Sequence, residues 1–380
     1  MTKSNTAPRP DYSRSVLKEI ELARADIEAF KSVFAKAEVS DNKDLLCHAG
    51  YHCGQCIEKS LKAIIMFKDK ETYNAVNASG TRNIRTNHDI REILNKAEQC
   101  CPGISEKNKS VNFNADKLKH FNNICFGRTS ITREELGYLI KAAQKLEGYV
   151  SDELYKFFDS EEKNAEYIKN EWERRDAFGL MSIDPWAEKL AESKCEEVFR
   201  RPIDANDLSV IKAAVEAGDA LAEGSIKYDN KNLRCYAAYE YIQAMQIAFK
   251  SVIKAENSEV YNKISNNKDH MVQYSQSMEF LLTTLDDCCP GEMERHPFAK
   301  KNMYKLSELN KLRFGRRAVT EEEVKCLETE VKKILGRIEK EFEMKYPDKA
   351  TVEKMNNENW EKRYPTNLRM PGKKTDYNDK

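Results

Sequence analysis

Residues 47 to 56 read Cys-His-Ala-Gly-Tyr-His-Cys-Gly-Gln-Cys. Histidine and cysteine at this density are zinc-ligand types, and Cys53 and Cys56 have the C-x-x-C spacing of a redox pair. His48, His52 and Cys56 stand four apart, so on a helix they share one face, open to a metal or to burial in a core. Gln55, Lys59 and Lys62 continue the stripe, and Glu58 borders it. The adjoining face carries Leu46, Ala49, Cys53, Ile57, Ile64 and Phe67, which suits a bundle core.

Two further motifs occur twice. Phe126-Gly127-Arg128 recurs as Phe314-Gly315-Arg316, with Arg313 and Arg317 making the second instance more basic. Glycine before arginine, just upstream of a helix start, lets backbone and guanidinium approach a phosphate; Lys62 and Lys250 are candidate point charges beside it. The competing reading is a turn glycine, a core phenylalanine and an arginine paired with a carboxylate. Cys-Cys-Pro-Gly at 100 to 103 recurs at 288 to 291. There proline and glycine give a helix stop, and neighbouring cysteines close no useful disulfide.

All these recurrences share an offset of 188 residues, as do Asp-Asn-Lys-Asp-Leu-Leu-Cys at 41 to 47 and Asp-Asn-Lys-Asn-Leu-Arg-Cys at 229 to 235. Trp172-Glu173-Arg174-Arg175 is answered by Trp360-Glu361-Lys362-Arg363. The expectation is two copies of one unit, 1–188 and 189–380, with cores at about 14–157 and 202–345, each followed by a tryptophan-bearing arm. At the metal-like cluster the counterparts of His48, His52 and Cys56 are Tyr236, Glu240 and Ala244, so the fold does not depend on a metal there. No metal or cofactor is expected.

The elements that would hold these residues are helical. Apolar residues recur with a 3.6 period through Val16, Ile20, Ala23, Ile27, Phe30 and Phe34, giving a helix over 14–37. The longest such segment is 43–68. Thr86 or Asn87 is expected to cap a helix through Ile90, Ile93 and Leu94, and another helix is expected over 113–124. Thr132 with Glu135, and Thr320 with Glu323, are capping boxes that open long helices. Each unit thus reads as a bundle of about five helices.

The chain carries 63 basic and 63 acidic residues, which argues against general coating of polyanions and leaves only local basic clefts. No apolar run approaches the roughly 18 residues of a membrane span, and the first ten residues lack a signal-peptide core. A soluble cytoplasmic protein is expected. Its 11 cysteines, an odd number placed in helical patterns, are read as reduced thiols.

The string His52-Cys53-Gly54-Gln55-Cys56-Ile57-Glu58-Lys59-Ser60-Leu61-Lys62-Ala63-Ile64-Ile65, followed by His88-Asp89-Ile90-Arg91-Glu92-Ile93-Leu94, resembles the HEPN family of nucleotide-binding domains. The resemblance covers most of 14–157 and, by the offset, 202–345. It implies two docked helical bundles, an intrachain version of a family dimer, binding a nucleotide or RNA phosphate or a partner such as a nucleotidyltransferase. Many relatives cleave RNA with an arginine followed four to six residues later by histidine. No histidine so follows Arg128 or Arg316, and the Arg82 and His88 pair precedes the wrong helix. The second unit keeps Gln243 and Lys250 but has Gln246, Ile247 and Gln276 for Glu58, Lys59 and His88. The resemblance therefore implies a non-cleaving binder using Gln55, Glu58, Lys59, Lys62, His88, Arg128, Gln243, Lys250, Arg313 and Arg316. The alternatives are a ribonuclease toxin or defence factor with an unconventional site built from Arg128, His88, His120 and Arg316, and a scaffold or antitoxin-like partner protein.

Overall fold

The computed structural model describes residues 12–74, 83–156, 166, 169–182, 201–265 and 271–371. Arg82 lies outside them. Long helices dominate, and the only strands among the described residues are two-residue pairs. The N-terminal half runs α1 (Tyr12–Val39), α2 (Asp44–Lys68), α3 (Lys70–Asn74), α4 (Ile90–Cys100), α5 (Ile104–Lys107), α6 (Lys109–Leu118), β1 (Thr129–Ser130), α7 (Arg133–Tyr155) and β2 (Asp176–Ala177). The C-terminal half runs α8 (Ala205–Lys227), α9 (Lys231–Glu256), α10 (Ser258–Asn262), α11 (Met278–Cys288), α12 (Glu292–Arg295), α13 (Pro297–Leu306), α14 (Leu309–Arg313), β3 (Arg317–Ala318), α15 (Glu321–Lys345), α16 (Lys349–Glu361) and β4 (Tyr364–Pro365). Helices α4, α5 and α6 and strands β1 and β2 begin and end 188 positions before α11, α12, α13, β3 and β4.

Local chemistry explains most boundaries. Both capping boxes form: each threonine hydroxyl accepts from the glutamate N–H three residues on, and that glutamate accepts from the threonine N–H. After α4 and α11 the chain turns through Gly103 and Gly291, at φ 86° and 90°, a left-handed conformation that favours glycine and stops the helix. Two expected boundaries need correction. Asp89, not Thr86 or Asn87, caps α4, because its carboxylate reaches both Arg91 N and Glu92 N; Asn87 instead accepts from Asp89 N. The helix expected over 113–124 is α6 ending at Leu118, then a separate 3-10 stretch, Phe121–Phe126. That break tucks Phe121 beside Gly54 of α2, where an added Cβ would sit 2.8 Å from the phenylalanine Cβ.

One contiguous buried cluster runs through both halves, rather than two separate cores. The reason is the packing of α1 on α8 and of α8 on α2 across the halves, in addition to α1 on α2 and α8 on α9 within them. The arms cross over. β1 pairs in parallel with β4, matching Thr129 with Tyr364, and β2 pairs with β3, matching Asp176 with Arg317. Each half's arm therefore docks on the other half.

A buried ionic group lies where α12 meets α13. The His296 ring, 4% exposed, stands 3.4 Å from Glu292 and 3.6 Å from Glu330, and Arg295 and Arg337 also bond Glu292. Burial alone would lower the His296 pKa, but hydrogen bonding to the two glutamates outweighs it and raises the value above the ordinary 6.5. A histidine with a raised folded pKa adds stability that is full below 6.5 and disappears as pH rises through the folded value. We expect the wild-type advantage over His296→Gln to shrink as pH rises from about 6 to about 8.5, read from urea midpoints.

Candidate functional site

Helix α2 is buried along nearly its whole length, including Asp44, Glu58, Lys59 and Lys62, with Lys68 exposed at its end. Gln55, Glu58, Lys59 and Lys62 are at most 3% exposed. Lys59 Nζ donates to Asp26 of α1 and, at 2.9 Å, to the Tyr236 hydroxyl of α9. His52 Nδ1 stands 3.0 Å from the other Asp26 oxygen, and His48 Nδ1 lies 3.0 Å from Glu240 of α9. Lys62 donates to Glu58 at 2.8 Å and to the Arg85 carbonyl at 3.2 Å. Lys59 and Lys62 are thus neutralised inside the inter-half core, which corrects their reading as phosphate-binding charges.

The same geometry separates the metal-like cluster. His48 faces Glu240, His52 faces Asp26, and Cys56 Sγ points to the Ala143 carbonyl at 3.9 Å. Among the described residues no group of His, Cys, Asp and Glu is arranged to hold a metal. Burial pushes the Cys53 and Cys56 thiols well above their ordinary pKa, away from the thiolate that redox chemistry uses.

Glu58 links this core to an accessible patch. Burial alone would raise its pKa, but Lys62, His88 and Arg313 hold the carboxyl well below its ordinary range. His88 Nδ1 bonds Glu58 at 2.9 Å, while the His88 side chain stays 37% exposed. Its ring stacks on Phe314 of the other half, with centroids 6.2 Å apart and planes at 14°. Arg313 is buried against the rings of Phe314, Tyr51 and Tyr239, at 4.7, 5.4 and 6.0 Å. Arg316 is exposed, with its guanidinium carbon 5.9 Å from the Phe314 centroid. An imidazole from one half and two guanidinium groups from the other thus surround one ring.

The position related by the offset is almost neutral. Cys125 replaces Arg313, Gln246 replaces Glu58 and Gln276 replaces His88. Gln243 Nε2 donates to Cys125 Sγ at 3.1 Å, and Gln246 Nε2 donates to the Gln276 carbonyl at 2.8 Å. Arg128 is exposed there, in electrostatic reach of Tyr261 of α10. Arg128 and Arg316 each sit at the Phe-Gly-Arg turn of their own half, and the two turns come together at Cys125 and Arg313, which are in electrostatic reach of each other. His120 is exposed at the start of the Phe121–Phe126 stretch.

Lys250 lacks the carboxylate that Lys62 has, and burial lowers its ammonium to about 8. A lysine so lowered destabilises the fold at neutral pH, and the penalty fades as pH rises to the ordinary 10.5. Lys250→Met is expected to raise stability by about 1 kcal/mol at pH 7 and by almost nothing near pH 10.5, after allowance for residual solvent. Thermal melts at the two pH values check this.

The glycines and helix starts of the Phe-Gly-Arg segments do something other than cradle an anion. Gly127 and Gly315 adopt φ 71° and 58°, and an added Cβ would meet Val210 at 2.6 Å or Arg175 at 3.2 Å. Gly127 admits α8 of the other half, with Arg363 of the arm 3.6 Å away, and Gly315 admits Arg175 of the other half's arm beside Leu22. The α7 start is filled by its own Glu135, which also accepts from Leu368 N at 2.7 Å; Glu323 does the same for Leu180 N. Negative charge is already in place at both N-termini.

Asp26 did not stand out in the sequence, while Phe314, Asp44 and Arg363 appeared there only as members of the repeated strings and Tyr236 only as the counterpart of His48. Asp26 had a signal: a carboxylate on the buried face between Ala23, Ile27 and Phe30 requires a partner. Fold and site together define a helical protein whose cation-rich patch is shared by two docked halves. No family model matches the chain, and neither a curated protein nor a solved structure does. No helix among the described residues is long and apolar enough to cross a membrane.

Proposed function

We propose that the chain is a tandem HEPN-like protein, descended from one duplicated unit, that holds a nucleotide or single-stranded RNA phosphate between its halves. The observation that carries this reading is the accessible stack of His88, Phe314 and Arg316 above buried Arg313. A ring flanked by cations suits a base and its phosphate, because the ring stacks and the guanidinium forks a phosphate. Fluorescence anisotropy with labelled short RNAs and nucleotides tests it. Saturable binding that weakens with salt and falls about ten-fold in Arg316→Ala is expected; no saturable binding ends the proposal.

One observation favours cleavage as a second reading. Glu58 bonds one nitrogen of a partly exposed imidazole beside two arginines, an arrangement that orients a general acid or base. Incubation of the bound RNA separates the two. Intact RNA supports binding alone, whereas cleavage abolished by His88→Ala supports the second reading.

A further inference from the structure

The two arms dock through the same main-chain contacts despite different sequences. In the N-terminal half, Leu368 N donates to Glu135 Oε1 at 2.7 Å, and Asn114 grips Arg369 from both sides. Its Oδ1 accepts from Arg369 N at 2.6 Å and its Nδ2 donates to Arg369 O at 3.2 Å. In the C-terminal half, Glu323 Oε1 accepts from Leu180 N at 2.7 Å, and Asn302 accepts from Met181 N at 2.7 Å and donates to Met181 O at 2.9 Å. Upstream, Thr366 N donates to the Ser130 carbonyl and Phe178 N to that of Ala318, continuing each short parallel pair.

The side chains that recur are few. Each arm begins with an arginine, Arg363 or Arg175, lying over its own tryptophan ring at 4.9 or 4.8 Å. Each bends at a left-handed residue, Asn367 at φ 45° or Gly179 at φ 71°, residue types that tolerate the region. A leucine follows at once. Main-chain bonds supply tolerance and a few pockets supply choice, as in strand-type peptide recognition.

We propose that each groove is a recognition site for an extended peptide of pattern Arg-x-x-x-(Gly or Asn)-Leu, filled in the isolated chain by the opposite half's arm. The ligand is such a segment displayed by another polypeptide, which displaces the arm. The C-terminal arm is the one to test for exchange: α16, which carries it, packs on the core through half-buried Val352, Met355 and Trp360, and the arm itself buries Arg363, Thr366 and Leu368.

The test uses the full chain and a fluorescein-labelled peptide of residues 363–371. A tethered arm competes at an effective concentration in the millimolar range. The peptide is therefore expected to bind saturably to a Leu368→Asp chain and at least about ten-fold more weakly to wild type. Adding Asn114→Ala to the Leu368→Asp chain should weaken binding about ten-fold, while adding Asn302→Ala should not. Should Leu368→Asp lose helicity by circular dichroism, Arg369→Pro, which deletes one N–H at an exposed position, takes its place. A helical arm-released chain that fails to bind, or that binds equally well with Asn114→Ala, overturns the proposal.

Discussion

Asp26→Ala is expected to lower the unfolding free energy by about 3–5 kcal/mol, because it leaves the buried Lys59 ammonium hydrogen-bonded to the neutral Tyr236 hydroxyl, with Glu19 acting on it through charge alone. His52 loses its partner in the same step. The residues 188 positions later are Ala214 and Ile247, both in an equally helical setting, so the chain itself contains the apolar version of this pair. Asp26→Ala combined with Lys59→Ile should therefore return to within about 2 kcal/mol of wild type, the remainder being the unsatisfied His52 nitrogen. Urea unfolding at unchanged m-value measures both. Additive losses in the double variant would show that the two charges are not coupled.

Arg363→Ala should cost about 3 kcal/mol, whereas Arg175→Ala should cost about 1 kcal/mol. Both arginines lie over a tryptophan at nearly equal distance and both abut a Phe-Gly-Arg glycine, so packing is comparable. The partner differs. Arg363 is 8% exposed and pairs with the buried carboxylate of Asp44, with Asn206 accepting a further bond at 2.7 Å. Arg175 bonds the neutral amide of Asn232 at 2.8 Å. Truncating Arg363 removes the counter-charge of Asp44, which is 3% exposed in the intact chain, with the Ser209 hydroxyl at 2.6 Å as an insufficient substitute. Truncating Arg175 leaves an amide. Parallel thermal melts that show equal losses would contradict this account of the difference.

Helix α2 and both capping boxes were legible because their signals are local: a 3.6 period, and a threonine three residues before a glutamate. The offset of 188 was legible for the same reason, since it compares short strings. What polar residues on an apolar helix bond to was not. Lys59 and Lys62 look alike in the sequence, yet only Lys62 finds its carboxylate on its own helix, Glu58 at i−4, whereas Lys59 meets Asp26 of α1 and Tyr236 of the other half through packing between helices. The crossing of the arms was equally hidden, because Arg363 meets Asp44 across 319 positions. His88 was singled out for its place before α4, yet its stacking partner, Phe314, lies in the other half. Pattern within one segment gives faces, and only tertiary structure gives partners.

The central claim is that His88 from one half and Arg316 from the other act on one ligand around Phe314. A double-mutant cycle on RNA affinity, with His88→Ala, Arg316→Ala and both together, tests it most directly. The account predicts that each single variant weakens binding about ten-fold and that the pair weakens it by clearly less than the product. Losses that multiply, or an Arg316→Ala chain that binds as wild type does, would contradict a site shared between the halves.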